Sequence, residues 1–149
     1  MELTLLLCTD GSDAALHALV AGMQVVGPGR RVVIATVVEP GDLTLVVGTG
    51  IAGGVMSAPE FEQLEQHRAD EARLALERAR STLGVSDAET VIVSGSPGPS
   101  LCALAESVQA SVIVMGTRGL GGIRRAVLGS VSDHVVRNAP CPVLITGAS

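Results

Sequence analysis

The sequence SVIVMGTRGLGGIRRAVLGSVSDHVVRN, residues 111–138, decides which fold we predict for this chain. It begins with an apolar, β-branched run over 111–115, which is typical of a buried strand. A glycine-rich loop follows over 116–129, and we predict a helix over 130–138, which Pro140 stops because proline cannot continue a helix. A strand, a loop and a helix in this order are typical of an α/β domain.

The same alternation of strands and helices extends through the rest of the chain. We predict further strands over 3–8, 31–38, 90–94 and 143–146, and helices over 12–27, 57–84 and 99–109. This pattern predicts one doubly wound α/β domain over 1–149, a five-stranded parallel sheet with helices on both faces. For its strand order we take 3-2-1-4-5, a doubly wound order that the family resemblance described below also implies. The segment 41–58 is less defined: its run Leu43–Val47 is either a short strand or part of a loop, and its glycines Gly48–Gly54 have no assigned role.

The charged residues exclude several classes of function. The formal net charge is −5, which argues against a general nucleic-acid binder because phosphate backbones favour clustered positive charge. All 10 basic residues are arginine, so a lysine-containing phosphate loop and a Schiff-base lysine are both impossible. A phosphate site must therefore use backbone N–H groups, hydroxyls and arginine.

The cysteines and the apolar segments indicate the compartment. Cys8, Cys102 and Cys141 show no zinc-binding spacing, and we interpret them as small buried residues in a reducing compartment. The N-terminus lacks the basic region of a signal peptide, and the longest uncharged run, 43–59, is short and interrupted by glycines. We therefore expect a soluble, cytoplasmic protein without a membrane span and without a metal site.

Polar and glycine residues follow the predicted strands at their carboxyl ends. Asp10 follows the first strand, Val37 lies at the end of the second, and Gly116 follows the fourth. In a doubly wound sheet of this order the winding reverses between strands one and four, and ligands bind in the crevice at that point. We therefore expect Asp10 and Gly116 to lie on opposite sides of one site.

The loop after the fourth strand has the features of an anion site. Gly116 and Gly119 allow backbone N–H groups to approach an anion without interference from a Cβ atom. Ser130 begins a helix whose N–H groups and dipole favour negative charge. Ser130 and Ser132 add hydroxyl donors, and Arg118 adds positive charge. The alternative interpretation is a flexible linker in front of an N-capped helix.

Several of these residues have a second interpretation. Asp10 is suited equally to an Asx-turn and to a hydrogen bond with a ribose hydroxyl. Arg124 and Arg125 are more typical of a solvated pair than of a phosphate clamp. The histidines lie on separate predicted helices, where we expect no catalytic role for them: His17, His67 and His134.

Three stretches resemble the universal stress protein family, and the resemblance covers essentially the whole chain. The stretch LLLCTDGSDAALHAL over 5–19 is similar to the first strand and Asp-Gly-Ser turn of that family, and GSPGPSL over 95–101 is similar to its Gly-x-Pro step. The stretch over 114–145 contains the family signature Gly-x2-Gly-x9-Gly-Ser, formed here by Gly116, Gly119, Gly129 and Ser130.

The resemblance implies a nucleotide site, because members that keep the glycine signature bind ATP. It implies that Asp10 contacts the ribose and adenine, that the backbone of Val37 pairs with the adenine edge, and that Met115 packs beneath. The residues implied to hold ribose and phosphates are Gly116, Gly119, Gly129, Ser130 and Val131.

The resemblance also implies a role for the whole protein. It implies a sensor or regulatory switch in the stress response that binds ATP, or ADP or AMP, together with Mg²⁺. It implies a homodimer formed through the last strand, 143–146, and a signalling partner that the sequence does not identify. A slow ATPase and a nucleotide-independent dimeric interaction module are the alternatives, and we assign no catalytic residue.

Overall fold

The computed structural model describes residues 2–27, 31–42, 55–117 and 128–147. Within these ranges the strands and helices alternate along the chain as predicted. The elements are β1 (Thr4–Cys8), α1 (Asp13–Val26), β2 (Arg31–Val38), α2 (Ala58–Leu83), β3 (Glu89–Ser94), α3 (Pro97–Ser107), β4 (Val112–Gly116), α4 (Ser130–Asn138) and β5 (Val143–Thr146).

The strands form one parallel sheet in the order β3-β2-β1-β4-β5, which confirms the predicted order. β1 is central: Leu7 pairs with Ile34 of β2 and with Val114 of β4. Gly116 at the end of β4 pairs with Thr146 at the end of β5. The carboxyl ends of the strands therefore meet at one edge of the sheet, which we call the rim.

Each face of the sheet is covered by two helices, so alternate residues of one strand enter two different cores. In β1, Leu5 and Leu7 pack with Leu19 of α1 and Leu76 of α2. Leu6 points to the other face, where the core includes side chains of α3 and α4. Because both faces are buried, β1 is an unbroken apolar run rather than an alternating one.

Capping residues fix the ends of α1 and α2. The Ser12 hydroxyl accepts the amide of Ala15 at 3.1 Å at the start of α1. Ser57 and Glu60 form a capping box at the start of α2, and these hydrogen bonds lower the pKa of the Glu60 carboxyl. Gly84 ends α2 in the left-handed conformation with φ +66°.

Some element boundaries differ from the prediction by one or two residues. α3 begins at Pro97 rather than at residue 99, because proline is well tolerated in the first helical turn. β4 begins at Val112 rather than Ser111, although the Ser111 amide still donates to the Thr4 carbonyl at 2.8 Å. β3 begins at Glu89, whose carboxylate pairs with Arg31 at the start of β2.

α2 is much longer than the strands it crosses. It buries Ala72, Leu76 and Ala79, all in its second half, whereas Phe61 is only half-buried. At a rise of 1.5 Å per residue, the part over 58–74 spans about 25 Å. In the described ranges, none of the helices combines the length and the apolar character that crossing a bilayer requires.

Candidate nucleotide site at the rim

The winding of the sheet reverses beside β1, at the rim. β1 lies between β2 and β4, so the connection after β1 leads to one side and the connection after β4 leads to the other. The turn that follows β1 carries Asp10, and Thr117 follows β4. Both segments therefore leave neighbouring strands at the same edge, as the sequence predicts, and a crevice at this point is a common ligand site.

The turn after β1 is fixed by its own hydrogen bonds. The Thr9 amide donates to the Ala35 carbonyl at 3.0 Å, which continues the sheet by one residue. The exposed Asp10 carboxylate accepts the Ser12 amide at 2.9 Å and the Ser12 hydroxyl at 2.6 Å, both through Oδ1. The Asx-turn interpretation of Asp10 is therefore confirmed, and the same bonds hold its carboxylate at the rim.

Val37 extends past the end of β1, so its backbone faces the crevice. The last pair between β1 and β2 is Cys8 with Ala35, and the Ala35 carbonyl points toward β1. The Val38 carbonyl points the other way and accepts the Gly95 amide of the β3 side at 3.1 Å. Because successive residues of a parallel strand point their polar groups to opposite sides, those of Val37 point toward the β1 side, above the Asp10 turn.

The base of the glycine-rich loop is closed by one carbonyl group. The Thr117 carbonyl accepts the Gly129 amide at 2.7 Å and the Ser132 hydroxyl at 3.2 Å. The Ser132 hydroxyl also lies 3.1 Å from the Gly129 carbonyl, and Ser132 is only 3 % exposed. The Ser132 side chain therefore holds the end of β4 against the start of α4, and its hydroxyl is directed at these carbonyls.

α4 begins at the rim without a side-chain cap. Gly129 is its N-cap residue and has no side chain to accept a hydrogen bond, and the first amide bonded within the helix is that of Asp133, which donates to the Gly129 carbonyl at 2.9 Å. The N–H groups of Ser130 and Val131 precede that bond, at the positive end of the helix dipole. Gly129 has φ −65°, which any residue adopts, so the backbone conformation does not itself require glycine here.

Beneath the rim the site rests on a packed apolar layer. Met115 is 6 % exposed and shares a core cluster with Cys8, Cys102 and Cys141. Burial raises the pKa of the Cys8 thiol to about 12, and it also raises the pKa of Cys102 and Cys141. The thiols are therefore protonated near neutral pH and contribute packing to the floor of the site.

The structure describes most, but not all, of the predicted site. It brings Asp10, Val37 and Gly116 to the same rim as the start of α4. Arg118, Gly119, Arg124, Arg125, Leu43–Val47 and Gly48–Gly54 lie outside the described residues. Among the residues described, no group of His, Cys, Asp or Glu is arranged to hold a metal ion.

Two residues that form hydrogen bonds at the rim were not predicted from the sequence. Thr117 acts through its carbonyl, and Thr9 acts through a hydroxyl that accepts the Gly11 amide at 3.1 Å. Thr9 directly follows the predicted strand over 3–8, and Thr117 lies two residues after the predicted strand over 111–115, which is the available sequence signal. Such a position does not reveal which atom will bond, so the pattern alone could not assign their roles.

A model of the universal stress protein family matches residues 2–147 of this chain. The chain belongs to the universal stress protein family. It is 34% identical over 143 residues to a universal stress protein of Thermus aquaticus, covering 95% of this chain and 96% of that protein. The family membership implied by the three sequence stretches is therefore confirmed.

Solved structures of the family share the fold. The universal stress protein UspA of Lactobacillus plantarum has a TM-score of 0.75 at 22% identity, covering 97% of both chains. A universal stress protein in complex with cAMP has a TM-score of 0.68 at 29% identity, covering 99% of this chain and 98% of that one. Two further structures, each 18% identical with a TM-score of 0.61, contain dAMP in the Archaeoglobus fulgidus protein and AMP in the Arabidopsis thaliana protein.

Proposed function

We propose that this protein binds an adenine nucleotide at the rim and acts as a regulatory switch in a stress response. ATP is the nucleotide that we propose, with ADP and AMP as alternatives. The observation that carries the proposal is the uncapped start of α4, held against the end of β4 by the Thr117 carbonyl, at the same edge of the sheet as the Asp10 turn. A helix start of this kind favours an anion such as a phosphate.

Each part of the nucleotide has a matching group at the rim. The N–H groups of Ser130 and Val131, and the hydroxyl of the exposed Ser130, are suited to phosphate oxygens. The Asp10 carboxylate is an acceptor for ribose hydroxyls, and the backbone of Val37 offers one donor and one acceptor to the adenine edge. Adenine nucleotides bound to other members of the family support this assignment, above all the cAMP complex of the 29% identical protein.

The remaining parts of the proposal concern the bound state and the whole protein. Mg²⁺ would accompany ATP as an ion bound to the phosphates, where it neutralises their charge. Gly119 belongs to the proposed site as a member of the glycine signature, and Arg118, which lies between two signature glycines, adds positive charge to it. We further propose a cytoplasmic homodimer, paired through β5, whose signalling partner recognises the nucleotide-bound state.

Binding is tested by isothermal titration of the purified protein with ATP in the presence of Mg²⁺. We expect saturable binding, and mass spectrometry of the freshly purified protein should identify any nucleotide that it retains. No heat of binding at millimolar ATP would overturn the proposal.

Two glycine substitutions test the location of the site. We expect Gly116→Val and Gly129→Val to abolish ATP binding, because each side chain fills space that we assign to the phosphates. Gly147→Val is the matched control, since a Cβ atom at Gly147 meets nothing within 4 Å. Circular dichroism must show that all three variants fold; unfolding of the Gly116 or Gly129 variant would give those glycines a structural role instead.

Hydrolysis lacks a specific observation in its favour. Among the acidic residues close to the rim in sequence, Asp10 accepts hydrogen bonds from Ser12, and Asp133 pairs with Arg137 at 3.0 Å. Glu39 is exposed beyond the end of β2. We therefore propose a binding protein and assign no general base.

A further inference from the structure

α2 packs directly against the turn that carries Asp10. A Cβ atom placed on Gly11 would lie 3.2 Å from the Cβ atom of Ala75, so the helix approaches the turn backbone as closely as two residues without larger side chains allow. Gly11 has φ +85°, a conformation that L residues with side chains rarely adopt. Three residues further along α2, Arg78 forms an ion pair with Asp13 at the start of α1.

The turn is connected tightly enough to transmit a displacement at Gly11 to Asp10. The Gly11 amide donates to the Thr9 hydroxyl at 3.1 Å, on one side of Asp10. On the other side, the Asp10 carboxylate accepts the amide and the hydroxyl of Ser12, and that hydroxyl also caps α1. A movement of Gly11 relative to Thr9 therefore changes the direction of the Asp10 carboxylate.

We propose that α2 sets the position of Asp10 for ribose recognition, and that Ala75 is the positioning residue. This inference rests on the proposed nucleotide site and deepens it. A β-branched residue at position 75 should crowd the turn, because it cannot direct both of its γ carbons away from Gly11.

The same contact couples nucleotide binding to the rest of α2. By linkage, a ligand that fixes the Asp10 turn also restrains the helix surface that packs on it. The part of α2 over 58–71 contains no buried residue and spans about 21 Å. Nucleotide binding at the rim is thereby coupled to the order of α2.

The test compares ATP with 2′,3′-dideoxy-ATP, which lacks both ribose hydroxyls. We expect the wild type to bind ATP more tightly than the dideoxy analogue, by roughly ten- to a hundredfold, the range for a hydrogen bond to a charged group. Ala75→Val should bring the ratio of the affinities for ATP and the dideoxy analogue toward one, while Leu74→Val should leave that ratio unchanged. Leu74 is the matched control, since it places the same residue one position along α2 at a side chain that is 69% exposed.

A double-mutant cycle separates positioning from packing. If Ala75 acts through Asp10, the Ala75→Val change has no further effect on the ATP preference when Asp10→Ala is already present. Equal weakening of both nucleotides by Ala75→Val would overturn the inference, because it indicates general loss of packing. Additive effects of the two substitutions would also overturn it.

A measurement on the wild type keeps the inference testable if Ala75→Val fails to fold. Addition of ATP should slow hydrogen exchange in α2 around residues 71–80 as well as in the Asp10 turn. Protection of the turn alone would overturn the coupling to α2. Equal binding of ATP and its dideoxy analogue by the wild type would overturn the inference but leave nucleotide binding intact, whereas absence of all binding would overturn the proposed function as well.

Discussion

The two interpretations of Asp10 that the sequence leaves equal can be separated by two substitutions of that residue. In Asp10→Asn the amide oxygen still accepts the bonds from Ser12, so stability should change by less than about 0.5 kcal/mol. In Asp10→Ala the turn loses its acceptor, which should cost about 1 kcal/mol. Urea denaturation measures both changes.

Nucleotide titration of the same two proteins tests the ligand role independently. If the carboxylate binds ribose, Asp10→Asn should weaken ATP binding although it folds as well as the wild type. Unchanged affinity in the asparagine variant would show that Asp10 serves the turn alone.

The raised pKa of Cys8 predicts a thiol that reacts only when the protein unfolds. With a pKa of about 12 against an ordinary 9.0, its thiolate fraction at pH 8 is about one in ten thousand rather than about one in ten. In a Cys102→Ala, Cys141→Ala protein, labelling of Cys8 at pH 8 should follow the unfolding rate. Rapid labelling of the folded protein would contradict this burial.

The same pKa has a consequence for stability at alkaline pH. Because the folded protein holds the Cys8 proton more tightly than the unfolded chain does, stability falls as the pH rises from about 9 toward 12. In Cys8→Ala this part of the pH dependence should disappear, which a series of denaturant titrations at increasing pH would measure.

At the scale of the elements, α1 lies unusually close to the sheet because of Gly22. A Cβ atom at Gly22 would lie 2.3 Å from Cγ1 of Val114 in β4. Nearby, the Thr146 hydroxyl donates to the Ala18 carbonyl at 2.5 Å, which ties β5 to the same helix. Gly22 therefore permits a helix–sheet distance that alanine does not.

Gly22→Ala is expected to destabilise the protein, although the same change on an exposed helix surface is stabilising by about 0.5–1 kcal/mol. The clash with Val114 should dominate, because overpacking a close contact costs about 1–3 kcal/mol. The shift in the midpoint of urea denaturation gives the sign of the change in stability. As a control, Val114→Ala removes the clashing methyl group, so Gly22→Ala in that background should cost less; an equal cost in both backgrounds would exclude the clash.

Which parts of the elements can be predicted from sequence depends on whether the signal is local. The bounds of α4 and β5 agree with the prediction, because Ser130, Pro140 and the β-branched run after it are local signals. The helix predicted over 57–84 carries apolar residues from Phe61 to Leu83, but the buried ones all lie in its second half. Periodicity identifies a helix face and does not reveal that the sheet opposite ends before the helix does.

Contacts between distant elements could not be predicted from the sequence, because they have no local signal. The cysteines lie on β1, on α3 and just before β5, yet they join one core cluster. The Ser132 hydroxyl, predicted as a phosphate donor, is directed at the Thr117 and Gly129 carbonyls. In both cases the packing of whole elements determines the contact partner, and residue spacing along the sequence does not reveal that packing.

At the scale of the whole molecule, β5 offers an edge for pairing with a second copy. Among the described residues β5 pairs only with β4, and the Pro142 carbonyl points toward β4, where it accepts the Ile113 amide at 3.0 Å. Since the polar groups alternate along a parallel strand, those of Val143 and Ile145 point outward. A row of outward N–H and C=O groups is a template for another strand.

Ile145→Pro tests this dimer, because it removes an outward N–H group without removing a bond to β4. Ile145→Ala is the matched control: it loses a similar part of the partly buried side chain but keeps the amide. Light scattering at micromolar concentration should give a dimer for the wild type and for Ile145→Ala, and a monomer for Ile145→Pro. A folded Ile145→Pro dimer would rule out pairing through the β5 edge. ATP titration of a folded Ile145→Pro monomer should still give the wild-type affinity, because the proposed rim site is built from β1, β2, β4 and α4 of one chain.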